Sequence, residues 1–285
     1  MSAVERWSAQ PAARGAVQPL QAEVHPGGQG PAVVLLHGQP GTCLDWQWVV
    51  PLLRPDFTVV VPDRPGYGAT GGPATGFAGN ADAVAALLER LGYESAVVVG
   101  HSWAGGAALA TAISYPDRVA GLVLVSSVGP EEQMSWEDRL LALPVAGEVM
   151  AGAALGGAGL LLGSRRIQDL ALRRLPARAR DGVASLSRLT RSSSRVWRTF
   201  VAEQRAMLSE LEALRPGLAT INTPTVIVHG GADHVVPAEV AEQLHSAIPG
   251  SRRRVIDGTG HLLPHDRPDS VAAAVREVTA GWSAG

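Results

Sequence analysis

Three side chains, widely separated in the chain, have the types and flanking residues needed for acyl transfer. The heptapeptide Gly100-His101-Ser102-Trp103-Ala104-Gly105-Gly106 follows an apolar run and opens an Ala-rich stretch. A serine at a sharp strand-to-helix turn is held in a strained conformation that lifts its hydroxyl clear of the sheet. The crowding there requires small residues two before and two after it. Gly100 and Ala104 meet that demand, with alanine, one methyl larger, at the second glycine of G-x-S-x-G. Taken alone, the heptapeptide also fits a serine that only caps a helix. Serine is a weak nucleophile and needs a base, itself oriented by a carboxylate. Asp233, in His229-Gly230-Gly231-Ala232-Asp233, and His261, in Asp257-Gly258-Thr259-Gly260-His261, each follow a β-branched run. They occur in the order Ser, Asp, His.

Other residues compete for these roles. Of eight histidines, His261 is favoured as base by position. His265, four residues on, reads as a surface or lid residue. His234 points away if Asp233 faces the site, and His101 is expected to pack under the serine turn. Asp257 is the rival acid, but it shares a loop with the histidine and reads as a brace for it. Cys43 lies outside any such turn, and Trp46 and Trp48 read as packing residues.

These side chains need a scaffold that brings distant loops together. Runs apolar at every position stand at 32–36 (AVVLL), 57–61 (FTVVV), 96–99 (AVVV), 121–125 (GLVLV) and 225–228 (TVIV), with a weaker run at 254–256. Uninterrupted apolar runs are the mark of strands covered on both faces, as in a parallel sheet. Helical patterns at 80–91, 104–115, 238–248 and 268–282 alternate with them, the first expected to be capped by Asn80 and stopped by Gly92. The fold class is therefore α/β: a mostly parallel central sheet with helices on both faces. Residues up to Gly30 are expected to add one or two edge strands. Between 129 and 215 only helix formers occur, such as 136–143, 167–175 and 196–214. This predicts a helical cap inserted into a core of residues 1–128 and 216–285, at the strand-end edge where ligands bind.

With 46 % hydrophobic residues in 285, a disordered chain is excluded, and Gly 33 with Pro 20 implies many tight connections. A net charge of −2 argues against nucleic-acid binding. All 24 basic residues are arginine, which reads as codon bias, and one cysteine excludes an internal disulfide. The first 14 residues lack the apolar core of a signal peptide, and the apolar, Gly-rich run 149–164 falls short of the ~20 residues a membrane span needs. A cytoplasmic protein is the expectation. Gly66-Tyr67-Gly68-Ala69-Thr70-Gly71 fits a dinucleotide fingerprint, but Pro62, Pro65 and Pro73 surround it and no helix follows directly, so it reads as a loop.

Four further segments fall in order around these residues: His37-Gly38-Gln39-Pro40-Gly41, Asp63-Arg64-Pro65-Gly66-Tyr67-Gly68, Tyr115-Pro116-Asp117-Arg118-Val119, and Gly260-His261 with Asp266-Arg267-Pro268. Together with the serine turn they resemble the α/β-hydrolase family over Pro31 to Thr279, apart from the variable insertion. The resemblance implies that His37, Gly38 and Gln39 form an oxyanion loop, with the backbone N–H groups of Gln39 and Trp103 facing the oxygen of a tetrahedral intermediate. Such donors are worth about 3 kcal/mol or more each. A family variant places the acid after the 121–125 run, where Glu131 is the residue available. The serine argues against the haloalkane dehalogenase and epoxide hydrolase branches, which need a carboxylate in its place.

The expected activity is hydrolysis by Ser102, His261 and Asp233 of a carboxylic ester or lactone, a small-molecule acyl substrate, with no metal or organic cofactor. Carbon–carbon bond hydrolysis and cofactor-free perhydrolysis use the same triad. A non-hydrolytic cyclase or a ligand-binding receptor uses the same fold. Residues 164–198 hold ten arginines against two aspartates. They form either a solvated helix face or a lid that attracts anionic acyl substrates or rests transiently on lipid. Steering predicts that the rate ratio of anionic to neutral esters falls as salt is raised. A ratio independent of ionic strength removes that role.

Overall fold

A computed structural model describes residues 5–7, 17–130, 136–143, 146–161 and 195–280. Its sheet runs through β1 (Glu5–Trp7), β2 (Ala22–His25), β3 (Ala32–Leu36), β4 (Val59–Pro62), β5 (Ala96–His101), β6 (Val119–Val125), β7 (Thr225–Gly230) and β8 (Arg252–Ile256), in the spatial order β1-β2-β4-β3-β5-β6-β7-β8. The expected edge strands are β1 and β2, which pair antiparallel to each other, and β2 antiparallel to β4. All other pairings are parallel. Strand order reverses at β3, since the next strand in the chain lies on one side of it and β5 on the other. That reversal opens a crevice at the strand ends.

Helices cover both faces, because each strand sends alternate residues to opposite sides. Val34, Leu36, Val98, Leu122 and Leu124 join one buried cluster, with α1 (Phe77–Leu91) and α2 (Trp103–Ser114). Val33, Leu35, Val97, Val99 and Val123 join a second on the opposite face. Each large apolar side chain fully removed from water contributes roughly 1.5–3 kcal/mol, so the two clusters dominate the stability. Between β6 and β7 the described residues form α3 (Trp136–Ala142), α4 (Ala146–Leu161) and α5 (Arg195–Glu210) before a short helical turn leads to β7. After β7 come α6 (Ala238–Ala247), on the first cluster, and α7 (Pro268–Val278), on the second. The 167–175 stretch, Glu131, Trp282 and the arginines of 165–191 lie outside the described residues. No helix among the described residues is long and apolar enough to cross a membrane.

One expectation is corrected. Helix α1 starts a turn before Asn80, with Gly76 at its N-cap. Asn80 is an interior residue whose amide donates back to the carbonyls of Thr75 and Gly76. The first-turn N–H of Ala78 instead finds the Glu210 carboxylate of α5, 132 residues away, at 3.1 Å. A cap supplied by tertiary structure lets Phe77 enter the core, where its ring packs on Trp103 at 4.5 Å between centroids. The 66–71 segment is a loop, with Gly66, Gly68 and Gly71 all at positive φ, and the next helix after it begins at Phe77.

At its other end α1 stops as expected at Gly92, which has φ 75° and open space around its Cα. A methyl there meets no atom, so Gly92→Ala carries only the backbone penalty of the left-handed region. A loss of about 1 kcal/mol is expected, read as a lower urea midpoint with unchanged denaturant slope.

Candidate active site

The serine turn is built as its small residues require. Ser102, between β5 and α2, has φ 56° and ψ −126°, a conformation that costs an L-residue roughly 1–3 kcal/mol. Its N–H donates to Val125 O at 2.9 Å, and its carbonyl accepts from Gly105 N at 2.8 Å, which locks the turn between β6 and the new helix. A Cβ on Gly100 would collide with the Ala104 carbonyl and lie 2.9 Å from Ala108 Cβ, so the residue two before the serine must be glycine. Ala104, two after it, carries its methyl fully buried.

Two later loops deliver the partners. The loops after β7 and β8 are joined by Gly231 N to Ile256 O at 2.9 Å and by Ala232 N to Thr259 O at 3.0 Å. They cross closely enough that a Cβ on Gly230 would strike the Thr259 and Gly260 carbonyls. His261 is thereby placed with Nδ1 2.8 Å from Asp233 Oδ2 and Nε2 2.9 Å from Ser102 Oγ. The carboxylate accepts from Nδ1–H, which leaves the Nε2 lone pair to accept from the serine hydroxyl. The other carboxylate oxygen, Oδ1, accepts the N–H groups of Val235 (2.8 Å) and Val236 (3.0 Å). Burial pushes the Asp233 carboxyl up, but the hydrogen bond and charge of His261 and these two N–H groups outweigh it and hold the group below its ordinary value. The Asp233 side chain is closed to solvent, whereas His261 keeps 14 % exposure.

The histidine expected beneath the serine turn is buried there, and it does more than fill space. His101 Nε2 donates to the backbone carbonyl of His261 at 3.0 Å, and the two rings lie 5.1 Å apart. Burial, then the neighbouring His261, pushes its pKa down to about 3, so it remains a neutral donor. His265 is corrected: it is buried at 3 % exposure rather than a surface or lid residue. His234 and Asp257 are exposed, and Trp46 is buried in the second cluster. Cys43 opens a short 3-10 turn, where burial and then Asp63 raise its thiol, so it stays protonated and unreactive.

The loop after β3 lies against the serine. A Cβ on Gly38 would sit 3.0 Å from His101 Nδ1 and 3.2 Å from Ser102 Cβ, so any larger residue would crowd the serine turn. His37 is buried, donates from Nδ1 to Gly38 O at 2.9 Å, and accepts the Arg64 N–H on Nε2 at 3.0 Å. Trp103 is the first residue of α2, so its backbone N–H has no acceptor within the helix and lies at the positive end of the helix dipole. The sequence reading missed a buried group beside this loop. Arg64 pairs with Glu203 of α5, and Glu203 also accepts from Tyr67 OH at 2.6 Å. A signal existed: Glu203 falls at four-residue spacing between Thr199 and Met207 on the buried face of α5. Among the described residues no cluster of three or more His, Cys, Asp or Glu is arranged to hold a metal ion.

A parallel-rich sheet with loops converging at its switch point, a strained serine, a histidine and a buried aspartate defines a class of protein. A family model described as the alpha/beta hydrolase fold matches residues 31–268, and the chain belongs to that family. An uncharacterised protein of Mycobacterium tuberculosis is 32 % identical over 252 residues, covering 85 % of this chain and 73 % of that protein. A pimeloyl-[acyl-carrier protein] methyl ester esterase of Vibrio campbellii is 27 % identical over 267 residues, covering 89 % and 96 %. The solved structure of a thermophilic esterase from Thermogutta terrifontis superimposes with a TM-score of 0.74 at 25 % identity, covering 96 % of this chain and 97 % of that one.

Burial lowers the pKa values of His37, His101 and His229. Below about pH 6.5 the unfolded chain therefore binds protons that the folded protein refuses, and stability falls as pH falls. The urea midpoint is expected to drop between pH 7 and pH 5. His101→Gln, which keeps a donor but cannot titrate, is expected to flatten that slope.

Proposed function

We propose that this protein is a serine hydrolase that works through an acyl-enzyme on carboxylic esters or lactones. The observation that carries the reading is His261, within hydrogen-bond distance of Ser102 Oγ on one ring nitrogen and of Asp233 on the other. Ser102 Oγ attacks the acyl carbon while its proton passes to His261 Nε2, and Asp233 holds the resulting imidazolium. The carbonyl oxygen becomes an oxyanion, received by the backbone N–H groups of Gln39 and Trp103. His261 then gives its proton to the leaving alkoxide, and the same steps with water as nucleophile release the acid and restore the serine.

The choice of ester rests on the names of relatives, the Vibrio methyl ester esterase and the Thermogutta esterase. A small-molecule acyl substrate is the partner this chemistry needs. In this reading residues 129–215 form a helical cap over the strand ends and set the substrate's size. The hydrogen bonds that α5 makes with residues of the β3 and β4 loops support that placement.

A fluorophosphonate probe tests the assignment, because it phosphonylates an activated serine. Wild-type protein is expected to label stoichiometrically and to hydrolyse p-nitrophenyl esters. Ser102→Ala should label not at all and lose roughly 10⁴-fold or more of the activity, with its urea midpoint close to wild type. Folded wild-type protein that stays unlabelled would count for a binding protein on the same fold.

A further inference from the structure

We propose that Arg64 and Glu203 are positioning residues that aim the oxyanion donor of Gln39, and that α5 is thereby a fixed wall of the site rather than a moving cover. The inference rests on the serine-hydrolase reading and extends it to residues that do not touch the substrate.

The argument starts from a peptide plane. The Gly38 carbonyl and the Gln39 N–H belong to one planar trans unit and point in opposite directions, so fixing the oxygen fixes the hydrogen. That oxygen is held twice, by Arg64 Nη2 at 2.9 Å and by His37 Nδ1 at 2.9 Å. The preceding carbonyl, of His37, accepts from Arg64 Nε at 2.7 Å. One guanidinium therefore clamps two consecutive carbonyls of the loop. Its fork geometry is what allows this, since a lysine ammonium has no rigid pair of donors. A cation on the Gly38 oxygen also polarises the amide and strengthens its N–H as a donor.

Arg64 is fully buried, and a buried cation without a partner is costly. Its partner, Glu203, comes from α5, where the carboxylate takes Arg64 Nη1 and the Tyr67 hydroxyl. The guanidinium is also stacked over Trp103, 4.6 Å from the ring centre. The same helix holds both residues proposed as oxyanion donors by their side chains. Gln39 Nε2 donates to Phe200 O at 2.7 Å, and Trp103 Nε1 donates to Glu203 O at 3.1 Å. A helix that moved away would leave Arg64 uncompensated and release Gln39 and Trp103 together.

A purely structural ion pair would link α5 to the core without affecting chemistry, and two variants separate the readings. In Arg64→Met/Glu203→Met both charges go, a change that is often neutral or stabilising for a buried pair. Here it also takes a partner from the His37 carbonyl and the Tyr67 hydroxyl, so a modest drop in urea midpoint is expected, whereas the fluorophosphonate labelling rate of the folded variant should fall about 10²-fold. Ester hydrolysis should lose kcat by a similar factor with KM little changed, because the interaction weakened acts on the transition state. Arg64→Lys keeps the charge opposite Glu203 but loses the fork, and should label at least about tenfold more slowly. Either variant, folded and labelling at the wild-type rate, overturns the clamp while the serine-hydrolase reading stands. Wild-type protein that reacts with no probe overturns both.

Discussion

The site depends on one backbone constraint, the left-handed conformation of Ser102 where β5 becomes α2. An L-residue at positive φ is unfavourable, so the turn exists only because its surroundings leave no other path. The serine N–H is tied to β6 and its carbonyl to the first turn of α2. Gly100 is pressed against Ala104, and Gly105 against Ser127. Each close approach excludes a side chain at a particular position, and together they place the hydroxyl above the strand ends, within reach of His261. The strain is local, and the contacts that enforce it come both from the turn itself and from β6 with the segment after it.

Around that turn the environment sorts four histidines into two kinds. His37, His101 and His229 are enclosed, pushed toward neutrality by burial, and each uses a ring nitrogen to hold a backbone carbonyl. His261 differs in what it faces, with a closed-off carboxylate on one side, a hydroxyl on the other and some contact with solvent. The neutral three act as fixed donors that shape loops. Only the fourth stands between a carboxylate and a hydroxyl, within hydrogen-bond distance of both. A constellation of this kind holds its geometry without reorganising, which is what electrostatic preorganisation requires.

The described helices between β6 and β7 differ in how they are held. Helix α5 is bound to the core through a buried ion pair and through hydrogen bonds to Gln39, Trp103, Gly66 and Ala78. By contrast, α4 exposes Val149 and Met150. One helix of this stretch is thus fastened to the loops beside Ser102 while another turns apolar side chains outward. The buried Arg64–Glu203 pair supplies that attachment with a directionality that an apolar contact lacks.

The central strands, β3 to β7, could be read from the sequence because burial on both faces favours apolar residues throughout, a local pattern that survives without knowledge of the partners. The serine turn was legible for a related reason, since Gly100 and Ala104 answer a steric demand made within five residues. Asp233 and His261 could be nominated by their place after strands, but their meeting depends on how two loops cross, which no local pattern encodes. The start of α1 departs from the expected Asn80 because a first-turn N–H is satisfied by Glu210, brought in from 132 residues away. Arg64 and Glu203 were invisible as a pair for the same reason. Each alone looks like a solvated charge, and only packing, by removing water from both, turns them into an interaction. Features set by short-range sterics and by the cost of wetting apolar strands were already written in the order of residues along the chain. Which distant polar groups share a dry site was decided by the tertiary structure, because desolvation is a property of the assembled surroundings and not of any one segment.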